Sequence, residues 1–319
     1  MSFALPDPAE PARPLPDDGA PTGAGMAMRQ RSVCICADDF GLHEGINAAV
    51  LALAQQRHLG AVAGMVDGPC WAEGAAALRT LPGQWLDVGL HLDLTEVRFS
   101  RHQQRPTHKY PRRRLIAASY LHQLDVDALA AEITRQLDQF ERHMQRPPAF
   151  VSGHRHVHQL PQIRDALLHV LQQRYPSYPR PWLRHTRPAL QGSHALRAGL
   201  RNAIKAQAIA WLGAQPLAQA AAAHGFAMSR ALAGVYGFDA SARAYQRLFA
   251  IWLQHCRHGD VLLCHPSNSV VPSDAIAHAR CIEYQVLAAD SFEQLLAQAE
   301  VHVGPLSRCL PLDEARTPH

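Results

Sequence analysis

The feature that most constrains this chain is a recurring juxtaposition, in which short apolar runs end abruptly in an aspartate or a histidine. Val33 to Ala37 leads into Asp38-Asp39, Asp87 to Leu90 into His91, Ala149 to Ser152 into Gly153-His154, and Val261 to Cys264 into His265. Apolar runs of this length read as strands. Ala61 to Val66 is another, and Pro181-Trp182-Leu183-Arg184 is a candidate for the next. Between them the spacing turns helical: Ile46, Ala49, Val50 and Leu53; roughly Ala72 to Leu81; Leu129, Ile133, Leu137 and Phe140 within Val126 to Met144; and Pro161 to Gln173, with proline in its first turn. Strand and helix alternate, as in a parallel α/β sheet. The expectation is an α/β fold, a TIM-like (β/α) barrel in which the C-terminal strand ends form one rim and build the site.

Two segments break the alternation. Arg98 to Arg114 is basic, polar and proline-containing, and Ala195 to Ala223 is an alanine-rich helical stretch with little charge. Both read as insertions on the barrel, near residues 98–124 and 190–225, and the first is placed to form a flap over a site. Residues 1–30 are rich in Pro, Ala, Gly and Asp and have no apolar core of a signal peptide, so they read as a disordered tail before a single domain at 31–319. Met26 and Met28 stand beside Met1 as alternative starts.

At 319 residues and 47% hydrophobic, the chain can bury a large core. No run approaches the ~20 apolar residues of a membrane span. The net charge of +4 comes from dispersed arginines, with Lys109 and Lys205 the only lysines, which does not mark a nucleic-acid binder. Seven cysteines without a C-x-x-C pair fit neither a disulfide framework nor a zinc ribbon. They read as small buried hydrophobes of a reducing, cytoplasmic compartment.

Aspartate and histidine are oxygen and nitrogen donors, and three protein ligands with one position left for water suit a hydrolytic metal site. Asp39, His91 and His154 supply such a set. The adjacent Asp38 and Asp39 invite a division of labour, one binding metal and the other handling a proton, because neighbours in an extended segment point in opposite directions. Asp38-Asp39-Phe40-Gly41 also suits a helix cap and turn before Ile46. In His154, His156 and His158 the alternate spacing gathers all three on one face if the backbone is extended, whereas a turn scatters them. His154 is the ligand candidate, and His156 and His158 are candidates for contacts behind the ligands or to substrate.

Taken together, Ala37-Asp38-Asp39-Phe40-Gly41-Leu42, Val88-Gly89-Leu90-His91-Leu92, Gly153-His154-Arg155-His156-Val157-His158 and Leu263-Cys264-His265-Pro266 resemble the YdjC-like carbohydrate deacetylases, which include chitooligosaccharide deacetylases and hopanoid-associated relatives. The motifs run in order from about Ser32 to beyond His265. The resemblance implies an irregular (β/α) barrel with one divalent metal ion, and N-deacetylation of an acetylamino sugar. It implies Asp39, His91 and His154 as metal ligands, Asp38 as general base and His265 as general acid. This chain departs from the family at Ser152-Gly153-His154-Arg155, where Asp-Ser-His-His is common, and its segment Ala195 to Ala223 is longer. Chitooligosaccharide specificity is therefore not carried over.

The expected reaction is metal-assisted amide hydrolysis, with zinc, magnesium, manganese or cobalt all compatible with the donors. The partner is an N-acetylated sugar, oligosaccharide or glycolipid, with Trp71, Trp85, Trp182 or Tyr236 available for stacking. A homodimer stays open. The rival readings are another metal-dependent barrel hydrolase, such as a phosphoesterase or cyclic amidase, and a non-catalytic carbohydrate-binding relative.

Overall fold

The computed structural model describes residues 31–95, 111–177 and 179–310. The expected tail and its alternative starts, and the basic segment up to residue 110, lie outside the described residues. The first elements are β1 (Arg31–Phe40), α1 (Glu44–Gln55), β2 (Ala61–Gly64), α2 (Trp71–Thr80), β3 (Asp87–Leu92) and α3 (Arg112–Tyr120). Next come α4 (Val126–Met144), β4 (Phe150–Gly153), a 3-10 turn over His154–Gln159, α5 (Ile163–Arg174) and β5 (Trp182–Leu183). The alanine-rich stretch is three helices, α6 (Gly192–Arg197), α7 (Leu200–Trp211) and α8 (Ala214–Ala223), followed by β6 (Leu232–Ala233). The chain continues through α9 (Ala242–His255), β7 (Val261–Cys264), α10 (Ala277–Leu287), α11 (Ser291–Ala299) and β8 (Val301–Val303).

All the strand pairs are parallel, in the order β5-β4-β3-β2-β1-β7-β6, with β8 on the start of β1. The sheet curls into a (β/α) barrel. Between β5 and β6, among the described residues, it is joined by the isolated bridges Leu183 to Met228 and Pro188 to Leu232. That weak seam is where the sequence inserts α6, α7 and α8.

Alternation along the strands decides what enters the barrel. Cys34 and Cys36 pack inward with Ala61, Ala63, Phe150, Trp182, Val261 and Leu263, while Val33, Ile35 and Ala37 pack outward against the helices. Inside, Phe150 and Trp182 stack with centroids 4.3 Å apart, an arrangement worth ~0.5–1.5 kcal/mol beyond the area it buries. Gly89 is required beside them: a Cβ there would lie 2.4 Å from the Phe150 ring. Outside, α4 shows how the helices are fixed. Asp125 caps it by accepting from Ala128 N at 3.0 Å, Gln145 ends it in the left-handed region, and Leu129, Ile133, Leu137, Phe140 and Met144 form its buried face. The expected helix at Pro161 starts at Ile163 instead, leaving the proline before its first turn.

Candidate functional site

The inward rows of the strands continue past the apolar core into polar residues. On β1 the row Cys34, Cys36 ends in Asp38; on β3 the inward residues Asp87 and Gly89 lead to His91; on β4 Phe150 and Ser152 lead to His154. After β5, Trp182 leads to Arg184, and after β7, Val261 and Leu263 lead to His265. Period-two alternation thus delivers five groups to one rim.

Asp39 breaks this rule and still reaches the site. By alternation it would face the helices, but β1 carries an extra residue against β2 between Ala37 and Phe40, and Asp39 has a φ of 65°. A bulge with a left-handed non-glycine residue re-aims a side chain at a cost in backbone strain. The expectation that Asp38 and Asp39 point in opposite directions is therefore corrected, because both carboxylates meet the same imidazole. His91 Nε2 lies 3.4 Å from Asp39 Oδ1 and 3.7 Å from Asp38 Oδ2.

Asp39, His91 and His154 form a cluster whose donor atoms all lie within 4.8 Å of one another. His154 Nδ1 is 3.1 Å from Asp39 Oδ1, and the rings of His91 and His154 meet edge to face at 5.6 Å. His91 Nδ1 is hydrogen-bonded to Ser152 Oγ at 2.8 Å. That contact fixes the ring and leaves Nε2 directed at the cluster, as a ligating histidine requires. One carboxylate oxygen and two imidazole nitrogens converging in this way fit a divalent ion.

Two arginines with no site role marked in the sequence hold the aspartates. Arg184, with no exposed surface, grips Asp38 with both ends: Nη1 donates to Oδ2 and Nη2 to Oδ1, each at 2.7 Å. Its Nη2 also lies 2.9 Å from Cys36 Sγ, so Cys36 is a partner as well as a core filler. Arg280 of α10 donates to Asp39 Oδ2 at 2.7 Å and also pairs with Asp274. Burial alone would raise both carboxyls, but the guanidiniums outweigh it and hold Asp38 and Asp39 well below the usual carboxylate range. Arg184 could have been found, since it follows an apolar pair as His265 follows its strand. Nothing in the local sequence marks Arg280.

The histidine run is not extended. Arg155 and His156 both adopt left-handed φ, 53° and 62°, so the 3-10 turn scatters the three imidazoles. His154 faces the cluster. His158 is fully buried, with Nε2 2.9 Å from the Arg184 carbonyl oxygen, and His156 lines the cavity. Burial pushes His158 down to about 4 and His156 well below its ordinary value, so both stay neutral.

These groups line a cavity of about 510 Å³ that includes Asp38, Asp39, His91, His154, His156 and His265. His265 is steadied by Glu283, whose carboxylate accepts from the His265 backbone N–H at 2.5 Å and from Tyr236 Oη at 2.8 Å. Burial pushes the Glu283 carboxyl up. Of the aromatic residues offered for stacking, Trp71 and Trp182 are core, and Trp85 sits under Arg57 at 3.6 Å. Tyr236 alone of the four reaches the cavity wall.

A parallel (β/α) barrel with an Asp-His-His cluster of metal-ligand type on its C-terminal rim defines the class of protein. The chain belongs to the family described as YdjC-like protein, whose model matches residues 32–298. It is 24% identical over 284 residues to a chitooligosaccharide deacetylase of Yersinia enterocolitica, covering 88% of this chain and 100% of that one. It is 32% identical over 142 residues to a chitooligosaccharide deacetylase of Serratia marcescens, covering 42% of this chain and only 53% of that protein. Its fold is similar to that of an Enterococcus faecalis V583 protein provisionally assigned to cellobiose-phosphate cleavage, with a TM-score of 0.60 at 14% identity over 88% of this chain and 98% of the other.

Proposed function

We propose that the protein is a metal-dependent carbohydrate deacetylase that hydrolyses the amide of an N-acetylated sugar. The observation that carries this reading is the convergence of Asp39, His91 and His154 on the floor of a cavity that also presents Asp38 and His265. A divalent ion bound by the three would polarise the acyl carbonyl and lower the pKa of water toward neutrality. The family membership and the Yersinia enterocolitica and Serratia marcescens relatives, both named for deacetylation, favour this over other barrel hydrolases.

The chain's own residues then divide the proton chemistry. Asp38, charged at rest in the grip of Arg184, orients the attacking water and receives its proton. A carboxylate held so low is a weak base, so this role depends on the water being made acidic. His265, on the same cavity wall, donates a proton to the departing amine nitrogen, a poor leaving group that needs an acid. Glu283 anchors the backbone from which that imidazole projects.

Acetate release from a panel of N-acetylated sugars, oligosaccharides and glycolipids, with and without chelator, tests the reading. Acetate formation that stops with chelator and returns with zinc, magnesium, manganese or cobalt is expected. Phosphate release from phosphorylated sugars without acetate release would replace it with a phosphoesterase.

A further inference from the structure

Helix α7 wears its apolar face outward. Leu200, Ile204, Ala208 and Trp211 recur at helical spacing along one side, and all four are exposed, Trp211 to 75% and Leu200 to 61%. Of the helix's 12 residues only Ile209 is buried. A surface helix ordinarily turns such a stripe toward the core. Leu196 of the adjoining α6, 58% exposed, extends the patch. Beneath it runs an apolar groove of about 750 Å³ whose walls include Leu190, Leu196, Ile204, Trp211 and Trp252.

Charge identifies what this face meets. From Ala189 to Phe238 the chain carries Arg197, Arg201, Lys205 and Arg230 and no carboxylate. Arg197 and Arg201 are exposed beside the stripe, whereas Lys205 turns inward to the Tyr236 carbonyl oxygen and the Phe238 ring. An apolar stripe with an exposed tryptophan and flanking arginines has the make-up of a helix lying in a lipid interface. A second copy fits poorly, because a two-fold contact through this face would set Arg197 and Arg201 against their own counterparts with no carboxylate to pair them. No helix among the described residues is long and apolar enough to cross a membrane, so the contact is peripheral.

We infer that α6 and α7 form a docking surface for an anionic phospholipid bilayer. Ile209 and Lys205, on the other side of α7, line the catalytic cavity, so the helix stands between the bilayer and the cavity wall.

The test is co-sedimentation of the full chain with vesicles of phosphatidylcholine alone and of phosphatidylcholine mixed equally with phosphatidylglycerol. Binding to the mixed vesicles, weakened by salt, is expected. The variant Leu200→Ser, Ile204→Ser, Trp211→Ser should lower the partition by about ten-fold or more, since the apolar insertion is lost. Arg197→Gln with Arg201→Gln should lower it by about 25-fold, at about five-fold per cation near the surface. In the unmutated protein, brominated acyl chains should quench part of the tryptophan emission, and Trp211→Phe should abolish that part. The inference is overturned if the unmutated chain ignores anionic vesicles, if the triple variant binds as well, or if no emission is quenched. It is equally overturned if the chain is a dimer that the triple variant dissolves. Acetate release from soluble sugars by the triple variant should be unchanged, which separates this inference from the deacetylase reading.

Discussion

Asp38 and Asp39 are neighbours in sequence, equally buried and each held by a buried arginine, yet they are differently spent. Asp38 gives both oxygens to Arg184, while Asp39 gives one to Arg280 and turns the other to His91 and His154. One pair is closed and the other open. An arginine that takes a carboxylate bidentately occupies both of its oxygens, whereas one that takes a single oxygen leaves a donor for an ion. The bulge at β1 makes the difference possible, because it turns the second carboxylate into the rim already occupied by the first.

The sharpest way to break the comparison is to neutralise each carboxylate in turn. Asp39→Asn should lose metal and activity together, since an amide is a poorer donor and removes a compensating charge. Asp38→Asn should keep its metal while its rate falls by ~10² to 10⁴, the range for loss of a positioned proton acceptor. Metal analysis of the purified variants beside their acetate release reads both. The roles must be exchanged if Asp38→Asn is the variant that arrives without metal.

The arginines extend the contrast to stability. Arg184→Met leaves the Asp38 charge buried and unpaired, which should cost ~3–5 kcal/mol in urea unfolding whether or not a divalent ion is present. Arg280→Met also strips a buried charge partner, but a cation bound at Asp39 replaces part of what is lost, so added divalent ion should restore much of its midpoint. Equal rescue of both variants by metal would erase the distinction between closed and open pairs.

How much of this was legible in the sequence follows from the physics of strands. A residue at the end of an apolar run inherits the direction of its row, so His91 and His265 could be placed from spacing alone, and Val261 to Cys264 and Val126 to Met144 appear in the structure with the same bounds. Asp39 could not be oriented, because a bulge is set by pairing with β2 and leaves no local trace. The turn that separates His154, His156 and His158 is in part announced by Gly153, where a Cβ would come within 2.7 Å of the His158 backbone nitrogen. β6 and β8, at 2 and 3 residues, are too short for periodicity to reveal. Arg280 and Glu283 reach the site from a helix far along the chain, and only tertiary packing brings them there.

A finer probe of the open pair lies behind His91. The Ser152 hydroxyl supports the imidazole without adding negative charge. Ser152→Ala should weaken metal affinity by ~10- to 100-fold, the usual cost of losing the partner of a ligating histidine. Ser152→Asp should strengthen it, because a carboxylate raises the basicity of the ring. Competition titration with a chelating dye separates the two. Unchanged affinity in both would mean that His91 is oriented by packing alone.

Acid exposes the closed pair through a smaller, graded effect. His156 and His158 lie close to Arg184, and burial keeps both imidazoles neutral, His158 with its pKa lowered from 6.5 to about 4. A histidine whose folded pKa lies below its unfolded value stabilises the fold only while the unfolded chain is also neutral. As pH falls through 6.5 the unfolded chain gains protons that the folded chain refuses, so stability declines until about pH 4, where His158 itself protonates. Each such histidine contributes a slope of at most about 1.4 kcal/mol per pH unit. Asp38 and Asp39 add little in this window, since their depressed values keep their stabilising effect whole until pH falls into the unfolded carboxylate range, below which it is progressively lost. Urea midpoints measured from pH 7 to pH 4 should therefore fall steadily, and His158→Gln should flatten part of the slope while an open-side change such as Ser152→Ala leaves it intact. A slope that survives His158→Gln in full would locate the acid sensitivity elsewhere and leave the closed pair indifferent to the imidazoles beside it.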